Sequence, residues 1–205
     1  PEPVSMRPLR PAPALPFELP PALEPPVRRA LEAAALEANE RYLRTFVEAH
    51  SFCPYSRSGR ANGLTARFVH GLDGRGVEAL FARMEEIAPD ATKVVVQVIL
   101  PLAEVGPGAW SRFCHALTEA GNDRLRATAP RGADVFAVAP LHPEHAYSKA
   151  NAYALIPLLR RAPDPTIQWV RLDALAELYR GREGDTVYVD PAEITPSWTP
   201  RERAP

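Results

Sequence analysis

Cysteine, methionine and lysine are each present only twice in this 205-residue chain, and the scarcity of cysteine and lysine narrows what the protein can be. Cys53 and Cys114 are too few for a disulfide framework and leave room for one bridge at most. Lys93 and Lys149 leave the rest of the basic charge to arginine, which, beside 24 prolines and abundant alanine, is the composition a GC-rich bacterial genome produces. A formal net charge of −1 gives no electrostatic footprint for nucleic acid or an anionic membrane. No apolar run approaches the ~20 residues that span a bilayer. No basic segment followed by an apolar core opens the chain. These absences lead to the expectation of a cytoplasmic protein without nucleic-acid or membrane partners. What is present is a globular composition, 46% hydrophobic and 24% charged.

Pro1 to Pro26 holds ten prolines and reads as an extended arm that docks through Leu15, Phe17, Leu19 and Leu23. Pro25-Pro26 can open a helix. From Val27 to about Ala49 the residues Val27, Leu31, Ala35, Ala38, Tyr42, Phe46 and Ala49 recur at helical spacing. Leu64–His70, Lys93–Leu100, Ala133–Ala139, Thr166–Arg171 and Asp185–Val189 read as strands. Val77–Ile87, Trp110–Gly121, Ala146–Arg160 and Leu172–Tyr179 read as helices. This alternation predicts an α/β sandwich with about five strands in a parallel or mixed sheet, preceded by a long N-terminal helix. The expected organisation is a proline-rich arm over residues 1–26, one α/β domain over 27–190 and a proline-rich tail over 191–205.

Ser51–Thr65 is the stretch around which the chain is organised. It carries a cysteine followed by proline, an aromatic residue, two arginines and two glycines, and it cannot bury a continuous apolar face. Cys53-Pro54-Tyr55-Ser56 resembles the tetrapeptide of monothiol glutaredoxins, in which a helix N-terminus favours the thiolate. Here, however, a helix precedes the motif and Ser-Gly-Arg-Ala-Asn-Gly follows it. Arg57 and Arg60 lie near enough in sequence to favour a thiolate. A Cys-Pro haem ligand and an inert thiol buried under a turn are the alternatives. Cys114 lies on the apolar stripe of its helix and reads as core.

His142 follows a buried strand, where sites gather in open α/β sheets. It could serve as a general base with Glu144 as its orienter, or join His145 in holding a metal, although a loop H-x-x-H lacks a specific ligand register. Arg160 and Arg161 sit where a helix meets a strand. There they can answer the helix dipole or clamp a carboxylate or phosphate.

Three segments in order resemble a bacterial domain-of-unknown-function family with Cys-Pro-aromatic, His-Pro-acidic and Arg-Ala-Pro-x-Pro segments. They are Cys53-Pro54-Tyr55, His142-Pro143-Glu144 with Tyr147, and Arg161-Ala162-Pro163 with Pro165-Thr166. The resemblance spans about Tyr42 to Leu175. It implies an α/β fold and a shared site, and supplies no reaction or cofactor. His145 lies outside the pattern, and Arg160 stands where the pattern has asparagine. The expected protein is a small enzyme acting on an anionic small molecule. Cys53 and His142 are its catalytic pair, and Arg57, Arg60, Tyr147 and Arg161 bind substrate; no metal site is assigned. The alternatives are a thiol-redox or ligand- or haem-binding protein without turnover, and an interaction module that uses the proline-rich arm.

Overall fold

The computed structural model describes residues 9–50, 56–126, 133–147, 158 and 160–179. Pro25 and Pro26 occupy the first turn of α1 (Pro25–Tyr42), where a missing backbone donor costs no helical bond. The chain then loosens into a π-helical turn, Leu43–Val47, and the Glu48 N–H donates to the Leu43 carbonyl at 2.8 Å. The 3.6-residue period places Ala49 on the buried stripe; the structure exposes Ala49 and buries Glu48 instead. A turn that bonds five residues apart rather than four carries one more residue past the same face. Val27, expected on the stripe, is 56% exposed at the start of the helix.

The short helix α2 (Ser56–Ala61) precedes β1 (Thr65–Val69), α3 (Val77–Ile87), β2 (Val95–Ile99) and α4 (Pro107–Leu125). After these come β3 (Phe136–Leu141), β4 (Thr166–Arg171) and α5 (Leu172–Tyr179). The four strands form one sheet in the order β1-β2-β4-β3. β1 and β2 are parallel, and β4 runs antiparallel to both its neighbours, so the fold is α/β with a mixed sheet. β3 runs on through Pro140 to Leu141, two residues past its expected end. Among the described strands it lies at the edge of the sheet, and an edge tolerates a residue that cannot donate on its open side. The expected strand at 185–189 and most of the expected helix over 146–160 lie outside the described residues.

The two faces of the sheet are covered differently. On one, Val96, Val98, Phe136, Ile167 and Trp169 pack against α3 and α4 in a continuous apolar core. The Trp169 indole N–H donates to Thr118 Oγ1 at 2.9 Å and that of Trp110 to the Leu141 carbonyl at 2.8 Å, so neither buried donor is orphaned. Cys114 is fully buried in this core, and burial pushes its thiol well above its ordinary pKa. Asn122 pins β3 to α4: its Oδ1 accepts the Val135 and Phe136 N–H groups, and its Nδ2 donates to the Phe136 carbonyl. Residues 9–24 lie along this layer. Phe17 meets Trp110 and Phe113 with ring centroids 6.4 and 6.5 Å apart, and the Leu23 N–H donates to the Leu72 carbonyl.

Among the described residues the other face has thinner cover. Tyr42, Leu43, Phe46 and Val47 from the end of α1 and the π turn cluster there with Leu141, Leu158 and Ala162. Among the described residues no helix is long and apolar enough to cross a membrane.

Candidate functional site

Side chains alternate across a strand, so residues paired in register share a face. Arg67 pairs with Gln97, Gln97 with Gln168, and Gln168 with Ala139, which lays one row across all four strands on the thinly covered side. That row is the floor of a cavity of about 190 Å³. Tyr42, Leu43 and Val47 give it apolar walls, and Ser56 and Arg60 of α2, with Arg160, add polar ones. A cavity of roughly 150 Å³ is enough to take a benzene ring.

Gln97 is only 1% exposed. Its Nε2 donates to Gln168 Oε1 at 2.8 Å, but its own Oε1 has no hydrogen-bond partner among the described residues. A buried amide oxygen left unpaired costs about 1–3 kcal/mol, and native proteins leave few such groups. One turn before Leu43, Asn39 is also 1% exposed with neither amide atom paired among the described residues.

Two carboxylates stand behind the arginines of the wall. Arg60 grips Glu48 with both prongs, Nε to Oε1 at 3.0 Å and Nη2 to Oε2 at 3.1 Å, and its Nε lies 3.5 Å from Glu40. Arg67 donates to Glu40 at 2.6 Å. The hydrogen bond from Arg60 holds the Glu48 carboxyl below its ordinary pKa; burial opposes this, and the Ser56 hydroxyl and the charge of Arg57 assist it. Arg160 has no such partner: no carboxylate lies within 4 Å of it among the described residues. Three arginines therefore line the cavity, and among the described residues Arg160 is the one of them without a carboxylate partner.

A depressed carboxylate pKa adds stability that is present above the ordinary carboxylate value and is lost as pH falls through the folded one. Glu48→Gln should accordingly destabilise the protein at pH 7, and the difference from wild type should shrink below about pH 4. Thermal unfolding across that range would check this.

The expected site residues do not all meet here. Arg60 lines the cavity. Arg57 is exposed beside it and is not a wall residue. Arg161 donates from Nε to the Pro143 carbonyl at 2.8 Å, and its guanidinium carbon lies 5.3 Å from the Tyr147 ring centroid. It stitches the 142–147 loop to the segment before β4, and neither it nor Tyr147 lines the cavity. Cys53 lies outside the described residues.

His142 is fully buried and does not line the cavity either. Leu141 occupies the cavity face, and the next side chain turns toward the layer on the other side of the sheet. There His142 Nε2 lies 2.8 Å from the Val105 carbonyl, which makes it the N–H donor, and Nδ1 accepts the Glu144 N–H at 3.1 Å. The contact from Glu144 is thus its main chain, where the sequence reading has its carboxylate. The His142 N–H also donates to the Arg160 carbonyl at 2.8 Å, so this residue helps set where Arg160 sits. His145 is half-buried, with Nε2 3.3 Å from the Pro140 carbonyl; desolvation is the main cause that lowers its pKa. Among the described residues no group of three or more His, Cys, Asp or Glu side chains gathers as a metal site would require.

Arg67, Gln97 and Gln168 are the site residues that sequence reasoning passes over; it names Arg160 as a possible anion clamp but assigns only its neighbour Arg161 to the site. A signal was there, because Gln97 interrupts the otherwise apolar run Val94–Leu100, and Gln168 interrupts Ile167–Val170 in the same way. Over the described residues the fold is α/β, with a four-stranded mixed sheet and a polar-floored cavity under a π turn. The chain matches no protein-family model, no curated protein and no solved structure.

Proposed function

We propose that the protein is a small cytoplasmic bacterial enzyme that binds an anionic small molecule in the cavity under the π turn, with Cys53 as its nucleophile or ligand. The observation that carries this reading is Arg160, a guanidinium without a carboxylate partner among the described residues, beside a cavity whose buried floor is polar. Arg60 and Arg67 are already neutralised by Glu48 and Glu40, so the guanidinium left for a ligand is that of Arg160. A planar fork of this kind suits a carboxylate or phosphate. Cys53 stands three residues before Ser56, a tether no longer than about 11 Å. In this reading His142 is a positioning residue that holds the Arg160 main chain, and Arg161 and Tyr147 shape the adjoining loop.

A ligand-binding protein without turnover is the second reading. It is favoured by the engagement of both His142 ring nitrogens with main-chain groups, which leaves the cavity without the expected base.

The test is native mass spectrometry and calorimetric titration of the full chain with small carboxylates and inorganic phosphate. Arg160→Gln should weaken anion binding about tenfold to a hundredfold, the worth of a charge-assisted hydrogen bond. Arg160→Lys should recover part of the loss. Equal binding by wild type and Arg160→Gln would remove the anion site. Product formation lost in Cys53→Ala would favour the enzyme over the binding protein.

A further inference from the structure

We infer that Gln97 and Gln168 select the ligand: among small carboxylates, the cavity takes those that also carry a group able both to donate and to accept a hydrogen bond, such as a hydroxyl or a carboxamide. This rests on the anion-binding reading above and deepens it.

Cross-strand pairing brings the two amides together and joins them by a single hydrogen bond, Gln97 Nε2 to Gln168 Oε1 at 2.8 Å. That bond uses one donor and one acceptor. Left over are Gln97 Oε1, which is sealed just under the floor with no partner among the described residues, and Gln168 Nε2, which makes no hydrogen bond among them. Turning both amides over exchanges the two roles and leaves the same complement, one acceptor beside one donor. The unpaired oxygen belongs to a residue that is 1% exposed, so bulk water does not satisfy it cheaply. A turn of the Gln97 side chain that brings this oxygen to a ligand donor relieves the cost on binding, whereas a purely apolar ligand body leaves it sealed in. Discrimination by such a floor is large, because the analogue that lacks the group leaves buried polar atoms unpaired. The rest of the cavity agrees: its Leu43, Val47 and Leu141 walls fit an apolar body about the size of one ring, and Arg160 takes the charged end.

The experiment is a nuclear magnetic resonance titration of the full chain, with side-chain amides labelled. The probes are benzoate, 3- and 4-hydroxybenzoate, and 3- and 4-carbamoylbenzoate. At least one hydroxy or carbamoyl compound should bind tenfold or more tightly than benzoate and shift the Gln97 and Gln168 side-chain signals. The ratio should fall to near one in the Gln97→Met/Gln168→Met variant. Arg160→Gln should weaken all five probes alike. Equal binding of all five by wild type would overturn the amide selection and leave the anion site standing. No binding of any probe, with Arg160→Gln indistinguishable from wild type, would overturn both.

Discussion

His142→Ala should cost about 3 kcal/mol or more, because it orphans buried groups and opens a hole at once. The Val105 carbonyl loses the Nε2–H donor, the Glu144 N–H loses its Nδ1 acceptor, and a fully buried ring is removed. For a chain of this size that is a fall of roughly 6–12 °C in melting temperature. Stability alone does not separate a positioning residue from a catalytic base, so the second readout is the pH dependence of Cys53 alkylation. His142→Asn keeps a donor and an acceptor and should retain more stability than alanine. If His142 is a positioning residue, the alkylation profile of that variant follows wild type. A profile displaced by a unit or more would restore the base role expected from the His-Pro-acidic segment.

The Gln97→Met/Gln168→Met variant should be as stable as wild type or more so, by up to about 2 kcal/mol. Methionine nearly preserves volume, the pair gives up one amide–amide bond, and the unpaired Gln97 oxygen disappears with it. Gln168→Met alone should do the opposite and cost about 1–3 kcal/mol, since Gln97 then keeps a buried amide whose donor has also lost its partner. Denaturant unfolding of the three proteins measures the contrast. A double variant less stable than Gln168→Met alone would mean that the amide row holds the sheet together and serves no ligand. The expected gain has a general form: polar groups retained at a cost to stability concentrate where a protein works.

Much of the framework was legible in order. The spacing of Leu80, Phe81, Met84 and Ile87 marked α3, and the β-branched run of Val94–Val96 marked β2, because burial on both faces selects such residues. Cys114 was readable as core from its stripe with Trp110, Phe113 and Leu117. The site was less legible. Arg60 was visible, but Arg161 drew attention that Arg160 warranted, since two adjacent arginines differ only in which way the backbone turns them. The position of His142 was within reach of the two-residue alternation, had β3 been read through Pro140 to Leu141.

By itself the sequence determined the periodic elements, the α/β class and the polar interruptions at Gln97 and Gln168. Those are properties of neighbours along the chain, set by propensity and by the 2.0 and 3.6 periods. Only the tertiary structure decided that Arg67, Gln97 and Gln168 form one row, that the π turn swings Glu48 inward to hold Arg60, and that His142 faces away from the cavity. Each depends on strand register or on one residue of helical phase. A single step sends a side chain to the opposite face of a strand, or about 100° around a helix, without changing the local composition.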